Sequence, residues 1–146
     1  PEPKYSLENI VSGIEKELGQ EVIFAGDSIG ESAYAITENL KPGKVVLLEN
    51  LRFYPQEKAG NKVFAEKLAQ HGDVYINDAF GTAHRAHAST TVVAEYFPND
   101  KMFGYLIESE IVSVDKVRFS MSLKLGSISL SWKLPGIVLP ELGNLK

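Results

Sequence analysis

Residues 77–89, NDAFGTAHRAHAS, concentrate side chains that could do chemistry. Around one glycine they supply amide and carboxylate acceptors and cationic donors, namely Asn77, Asp78, His84, Arg85 and His87. The approach, DVYI, is typical of a buried strand, and the exit, TTVVAEYF, favours a helix. Backbone N–H groups at the start of a helix attract anions, and an arginine there adds a fixed positive charge. The stretch therefore predicts an anion site on a turn between a strand and a helix.

A second predicted strand ends in the same way. The run KVVLLEN at 44–50 is solidly apolar, as in a parallel strand buried on both faces, and Glu49, Asn50 and Arg52 come at its end. In open α/β sheets, ligands bind beyond the carboxyl ends of the strands. Arginine is scarce in this chain, and its forked guanidinium suits phosphate or carboxylate. We therefore expect Arg52, Arg85 and a histidine to converge on one anion from neighbouring strand ends.

The polar residues at both strand ends also have a structural interpretation. Asn and Asp after a strand commonly fix turns through bonds from side chain to backbone. An unpaired polar group at the end of a buried strand costs about 1–3 kcal/mol, so these groups should bond to each other, to turns or to a ligand. The residues predicted to support the site in this way are Glu49, Asn50, Asn77 and Asp78. Gly81 is predicted to supply a backbone shape or a close approach that a side chain would block.

Several kinds of catalytic site are excluded by what the sequence lacks. It has no cysteine, which rules out disulfides, thiolate catalysis and Cys-type zinc sites. The motifs G-x-x-x-x-G-K-[ST] and G-x-G-x-x-G are absent too. His84 and His87 have the spacing of a metal pair, but no third ligand is suitably spaced, so no metal site is predicted; a solvated helix start is the alternative for both. No nucleophile is evident, which favours chemistry by positioning and charge.

Predicted helices and strands alternate along the chain. Helices are predicted at 6–18, 29–40, 61–72, over most of 82–97 and from about Phe103, and strands at 21–25, 44–50 and 73–79. Ser6 is the expected N-cap of the first helix and Gly19 its stop. In the third helix, Val63, Phe64 and Leu68 share the predicted apolar face. This alternation predicts an α/β layered fold with a parallel sheet.

The composition is that of an ordinary globular protein, with 44% hydrophobic and 23% charged residues. The net charge of -4 argues weakly against a nucleic-acid surface. No apolar run is long enough to span a bilayer, and no signal peptide is visible. We therefore expect a cytoplasmic protein with no nucleic-acid or membrane partner, and since the first residue is Pro1, one that begins partway through a longer protein.

After Val117 the character of the sequence changes. The stretch RFSMSLKLGSISLSWKLPGIVLPELGNLK has serines and leucines in near alternation, with prolines and no clear helix pattern. It predicts either a hairpin or an irregular tail.

The stretch KPGKVVLLENLRFYPQEKAGNKVFAEKLAQHGDVYINDAFGTAHRAHASTTVVAEYF closely resembles the amino-terminal domain of phosphoglycerate kinase. LLENLRF and VYINDAFGTAHRAHAST are its most specific parts, and the likeness runs from about Lys4 to about Val117. The resemblance implies that residues 1–117 form part of that domain, a three-layer, Rossmann-like parallel sheet with helices on both faces, incomplete in this chain. Residues 118–146 are then a divergent tail, for example a frameshifted end.

The resemblance also implies a function. Members of this family are two-lobed glycolytic enzymes, usually monomeric, that transfer a phosphoryl group between 1,3-bisphosphoglycerate and ADP, giving 3-phosphoglycerate and ATP, with Mg²⁺. The amino-terminal lobe binds the phosphoglycerate and the other lobe binds the nucleotide. By the matched motifs, Arg52 and Arg85 correspond to arginines that bind the substrate phosphate, with His84 beside Arg85. Phosphoryl transfer needs alignment and charge neutralisation, which agrees with an anion site.

The chain departs from the family in ways that limit this expectation. The family's early VRxDxNVP strand, its SHLGRP loop and its GGAKVSDK segment have no counterpart here. We therefore expect no catalytic residue, no bound Mg²⁺ or nucleotide, and no kinase activity in this chain alone. The missing strand is expected to leave a neighbouring strand edge unpaired. Two alternatives stay open: a non-catalytic anion-binding module, and a truncated product without function.

Overall fold

The computed structural model describes the backbone of residues 2–82 and 85–125, and their side chains as far as Lys116. His84 and most of the predicted tail, residues 126–146, lie outside the described residues. The chain divides into two units, residues 1–110 and 111–146. The elements that surround the predicted site all belong to the first unit.

The described residues form four short strands, five α-helices and several 3₁₀ turns. The strands are β1 (Val22–Ala25), β2 (Val45–Leu48), β3 (Tyr75–Asn77) and β4 (Lys101–Phe103). The helices are α1 (Val11–Leu18), α2 (Glu31–Glu38), α3 (Pro55–Lys58), α4 (Lys62–Ala69) and α5 (Tyr105–Leu125). The 3₁₀ turns are Pro3–Tyr5, Leu7–Ile10, Leu51–Phe53, Phe80–Thr82 and Val92–Tyr96.

The strands pair in parallel, which confirms the predicted α/β class. In one sheet Val22 of β1 lies opposite Val45 of β2, and in the other Tyr75 of β3 lies opposite Lys101 of β4. Parallel partners need a crossover between them, and helix α2 lies in the connection from β1 to β2. Within the described residues β2 and β3 belong to separate two-stranded sheets, so the expectation that they are neighbouring strands is wrong. Strand β2 is only half-buried, not buried on both faces.

The first predicted helix forms in two steps. The Ser6 hydroxyl accepts a hydrogen bond from the N–H of Glu8 and caps the 3₁₀ turn Leu7–Ile10, which leads directly into α1. Gly19 ends α1 with a φ of 66°, a left-handed conformation that glycine adopts without a steric cost. Gly19 is therefore confirmed as the end of this helix, whereas Ser6 caps the preceding 3₁₀ turn and the α-helix itself begins at Val11.

Three predicted elements differ from the structure. The sequence pattern predicts that residues 82–97 are mostly helical, but their described part forms only a turn and the 3₁₀ segment Val92–Tyr96. The run of β-branched residues in TTVV lowers helix propensity there. Residues Lys101–Phe103 pair with β3, so the following helix begins at Tyr105. That helix continues to Leu125, so the expectation of no helix after Val117 is wrong for these residues.

The apolar core lies where α4 packs against the segment Val92–Tyr96. Its buried members are Phe64, Ala65, Ala88, Val92, Val93 and Phe97. Aromatic contacts extend it, since the ring of Tyr54 lies 5.1 Å from that of Phe64 and the ring of Tyr75 lies 5.9 Å from that of Phe97. Val63 does not share this face, because it is 62% exposed. Helix α4 also stops at Ala69, before the predicted Gly72.

A close backbone approach joins the end of α3 to this core. Gly60 has a φ of 60°, and a Cβ built on it would lie 2.5 Å from the carbonyl oxygen of Ala86. Any side chain at Gly60 would therefore push Ala86 away in addition to straining the left-handed backbone. Gly60 is thus a point at which the α3 segment touches the turn that follows Arg85.

Replacing Gly60 by alanine should destabilise the protein more than an ordinary left-handed glycine would. We expect Gly60→Ala to lower the free energy of unfolding by at least about 2 kcal/mol, since strain and clash add. Gly19→Ala is the matched control, because Gly19 has a φ of 66° but nothing within 4 Å of the added Cβ. Urea unfolding measures both, and equal losses in the two variants would contradict the close approach.

Candidate functional site

A cavity of about 380 Å³ lies where the end of β2 meets the turn after β3. Residues that line it include Leu47, Glu49 and Arg52 on one side, and Ala79, Thr82 and Thr90 on the other. The two polar strand ends therefore meet at one cavity even though their strands do not pair.

Arg52 is held at the cavity by a capped 3₁₀ turn. The side-chain oxygen of Asn50 accepts a hydrogen bond of 3.0 Å from the N–H of Arg52, and the amide of Asn50 donates to the carbonyl of Tyr5 at 2.9 Å. Asn50 thus ties the Arg52 backbone to the amino-terminal segment. The Arg52 side chain itself is exposed to solvent, as an anion-binding side chain has to be.

Glu49 fixes the same strand end. Its carboxylate accepts hydrogen bonds from the Ser6 hydroxyl at 2.6 Å and from the N–H groups of Leu7 and Asn50 at 2.9 and 2.6 Å. Burial alone would raise the pKa of Glu49, but these three hydrogen bonds outweigh it and lower the pKa below its usual value. The carboxylate is therefore committed to the backbone around it and is held in its charged form.

The far end of the Arg52 turn is anchored by Tyr54, whose hydroxyl donates to the carboxylate of Asp27. Burial and this hydrogen bond raise the pKa of Tyr54 to about 12, and the same bond lowers the pKa of Asp27. Asp27 follows β1, so this contact links the turn after β2 to the turn after β1.

The turn that carries Arg85 is held by side chains on β3. The amide of Asn77 donates to the carbonyl of Thr90 at 2.9 Å, and the hydroxyl of Tyr75 donates to the carbonyl of Ser89 at 2.9 Å. The carbonyl of Arg85 in turn accepts from the N–H of His87 at 2.9 Å. Two side chains of β3 thus add hydrogen bonds to those that the turn makes within itself.

Asp78 acts away from the cavity. Its carboxylate accepts a 2.9 Å hydrogen bond from the N–H of Ile107, in the first turn of α5. A free N–H at the start of a helix is stabilised in this way by an acceptor, usually one from its own N-cap. Gly104 makes the contact possible, since a Cβ there would clash with the carboxyl carbon of Asp78.

Glu57 and His87 form a buried polar pair that the motifs do not single out as such. Glu57 is 2% exposed, and its carboxylate accepts from the Ser89 N–H at 3.0 Å and the Ser89 hydroxyl at 2.6 Å. His87 is 6% exposed, so it is not part of a solvated helix start. Its Nδ1 lies 3.9 Å from the nearer Glu57 oxygen and has no hydrogen-bond partner among the residues that the structure describes. A glutamate in QEKAG is typical of an exposed helix residue, which is why sequence patterns missed it.

Several features of the predicted site are absent from the described residues. Arg85 is exposed and is not among the described residues that line the cavity, although Thr82 and Thr90 on its turn are. The predicted helix start is missing, so no α-helix dipole adds to an anion site there. Gly81 does not have a positive φ, and a Cβ built on it would have no described atom within 4 Å, so its expected role is not seen. His84 lies outside the described residues.

Comparison with known proteins identifies the family. A family model for phosphoglycerate kinase matches residues 1–124. The chain belongs to the phosphoglycerate kinase family. The match reaches past Val117, where the sequence pattern changes.

Curated relatives agree with this assignment. The chain is 45% identical to phosphoglycerate kinase of Porphyromonas gingivalis, with 79% of this chain and 33% of the relative covered. It is 50% identical to the Borreliella burgdorferi enzyme, over 74% of this chain and 27% of the relative. It is also 50% identical to cytosolic phosphoglycerate kinase 3 of Arabidopsis thaliana, over 75% of this chain and 27% of the relative. The chain therefore spans about a third or less of the length of these relatives.

Solved structures show the same fold. The phosphoglycerate kinase of Pyrococcus horikoshii superposes with a TM-score of 0.68 at 30% identity, covering 85% of this chain and 30% of that protein. The Coxiella burnetii enzyme also gives a TM-score of 0.68, at 31% identity, over 80% of this chain and 28% of that protein. The Rossmann-like α/β class predicted from the sequence is confirmed. None of the helices in the described part of the chain is long and apolar enough to cross a membrane.

The hydrogen bonds of Glu49 predict a pH-dependent contribution to stability. Glu49→Gln should lower the free energy of unfolding at pH 7 by about 1–2 kcal/mol, because three donors lose a charged acceptor. The pKa of Glu49 is lowered on folding, so its contribution is complete above the unfolded pKa of 4.5 and is lost as the pH falls through the folded pKa. The difference between Glu49→Gln and the parent should therefore shrink from pH 7 to pH 3.

Urea unfolding at the two pH values measures this difference. Glu17→Gln is the control, since Glu17 is an exposed glutamate on α1 and its replacement should change little at either pH. A loss for Glu49→Gln that is the same at pH 7 and pH 3 would show that its charge is not what the three donors require.

Proposed function

We propose that this chain forms part of the phosphoglycerate-binding half of a phosphoglycerate kinase. The reaction would be reversible phosphoryl transfer between 1,3-bisphosphoglycerate and ADP, giving 3-phosphoglycerate and ATP. The observation that supports this proposal most is the shared cavity, in which the turn carrying Arg52 meets the turn that carries Arg85. A cavity with arginine at its rim and capped polar turns around it suits a small phosphorylated acid.

In this proposal Arg52 and Arg85 bind the substrate phosphate, with His84 beside Arg85. Both arginines are exposed, so an anion can reach them from solvent. Glu49, Asn50, Asn77 and Asp78 hold the two strand ends by hydrogen bonds to backbone groups and so orient the turns. Alignment and charge neutralisation of this kind are what phosphoryl transfer asks of the substrate-binding side.

We propose that Mg²⁺ and the nucleotide bind to parts of a full-length enzyme that these 146 residues do not cover. Within the described residues, no three His, Cys, Asp or Glu side chains are grouped so as to hold a metal ion. The acidic composition and the lack of cysteine support a cytoplasmic location for such an enzyme.

Removing either arginine should weaken the binding of 3-phosphoglycerate. We expect the chain to bind this ligand weakly, on the order of millimolar, and Arg52→Ala or Arg85→Ala to raise the dissociation constant about tenfold. Two-dimensional NMR titration of the labelled chain measures binding in this range. Lys16→Ala removes the same charge from an exposed position on α1 and should change the dissociation constant less than twofold. Equal effects of all three variants would contradict the proposed site.

The chain by itself should not catalyse the reaction. A coupled assay that follows ATP formation from 1,3-bisphosphoglycerate and ADP is expected to give only the uncatalysed background, because half of the reactants lack a binding site. A full-length relative, such as the Borreliella burgdorferi enzyme, serves as the positive control. ATP formation above background by the purified chain would overturn this part of the proposal.

The two alternatives make different predictions. A stand-alone anion-binding module would bind inorganic phosphate and sulfate about as well as 3-phosphoglycerate, which calorimetry can compare directly. A non-functional product would bind none of them, and a thermal melt followed by circular dichroism would show whether it is folded at all.

A further inference from the structure

The α3 segment contacts the turn after Arg85 through several separate interactions. The carbonyl of Glu57 accepts a hydrogen bond from the N–H of Ala88 at 2.9 Å, and the Glu57 carboxylate accepts from the N–H and the hydroxyl of Ser89. Gly60 lies against the carbonyl of Ala86. The backbone from Ala86 to Ser89 is therefore bound to one short stretch of chain.

That short stretch also carries the other arginine. Arg52 lies in the 3₁₀ turn Leu51–Phe53, and α3 begins at Pro55, so the turn leads into the helix almost directly. Glu57 and Ser89 both line the cavity that Arg52 borders. Glu57 therefore connects the two arginine turns: it lies a few residues after Arg52 in the chain, and it bonds to Ser89, a few residues after Arg85.

We propose that Glu57 is a positioning residue that sets the distance and orientation of the Arg85 turn relative to Arg52. The proposal rests on the function proposed above, in which the two arginines share one phosphate. Glu57 does not touch the ligand in this scheme; it acts through Ser89 and the backbone of the turn. A buried carboxylate suits this task because it accepts from two donors of the same residue at once and so fixes both distance and direction.

The buried environment makes this contact costly to lose. The described groups that approach the Glu57 carboxylate are the two donors of Ser89, and the Nδ1 of His87 at 3.9 Å. The charge of the carboxylate also affects Tyr75. Burial, the larger cause, and the negative charge of Glu57 together raise the pKa of Tyr75 to about 12. Without the carboxylate, the N–H of the half-buried Ser89 would lose its acceptor, and the turn would gain freedom to move.

Spin labelling tests the positioning role directly. The chain has no cysteine, so Arg52→Cys together with Arg85→Cys gives a background-free pair of sites, both exposed, for nitroxide labels. Electron paramagnetic resonance then measures the distribution of distances between the two arginine positions. In the labelled chain we expect a single narrow distribution, and with Glu57→Ala a distribution at least about twice as wide. Glu57→Gln should stay close to the parent, because its amide oxygen can accept from the Ser89 N–H and its amide group can donate to the Ser89 hydroxyl, so both contacts are kept.

A matched variant separates positioning from general loss of stability. Val22→Ala truncates a buried residue of β1 that does not line the cavity, and it should lower stability while leaving the width unchanged. If Glu57→Ala does not unfold cooperatively, Ser89→Ala carries the test, since it removes one donor and keeps the other. An unchanged width in Ser89→Ala, or in a folded Glu57→Ala, overturns the proposal.

Ligand binding by the unlabelled chain connects the Glu57 contact to the site. Glu57→Ala is expected to raise the dissociation constant of 3-phosphoglycerate about tenfold although both arginines are present, whereas Val22→Ala leaves it within twofold. If Arg52→Ala weakens binding and Glu57→Ala does not, the positioning role is wrong and the proposed function stands. If neither arginine variant weakens binding, the proposed function fails, and the distance distribution still decides whether Glu57 holds the turn.

Discussion

The turn that carries Arg85 lies outside regular secondary structure, so its backbone lacks the regular hydrogen bonds of a helix or a sheet. The need to bond these backbone groups determines how the neighbouring elements are arranged around the site. Its backbone groups are partly buried and have to be bonded to something. Strand β3 supplies Asn77 and Tyr75, which donate to its carbonyls, and α3 supplies Glu57, which accepts from its N–H groups. Side chains on two other elements therefore add to the hydrogen bonds that the turn makes within itself.

Three acidic residues of the two strand ends and α3 serve as acceptors for backbone N–H groups. Glu49 accepts at the end of β2, Glu57 at the Arg85 turn and Asp78 at the start of α5. Glu49 and Glu57, which line the cavity, are thus bonded to the backbone, whereas Arg52 at the same cavity is exposed to solvent. Such a division suits a binding surface for phosphate, where repulsion from uncompensated carboxylates would weaken the ligand's affinity.

Sequence reasoning identified the strand ends but not how they come together. The polar motifs after β2 and β3 are visible because apolar runs precede them, and Ser6 and Gly19 mark the cap of the 3₁₀ turn before the first helix and the end of that helix. The helix expected before Phe97 does not form. Several carbonyl and N–H groups of this segment bond instead to Tyr75, Asn77 and Glu57. Local periodicity could not reveal these partners, because they lie on other elements. The role of Glu57 was invisible for a related reason: burial of a glutamate depends on what packs over it.

The sequence by itself determined the α/β class, the family and the two motifs that carry the arginines, because periodicity, caps and motif residues are local properties of the chain. The tertiary structure alone decided that β2 and β3 do not pair, that their ends nevertheless border one cavity, and that Glu57 joins the two turns. These features depend on contacts between residues far apart in the chain, whose energies follow from distance and burial in the folded protein.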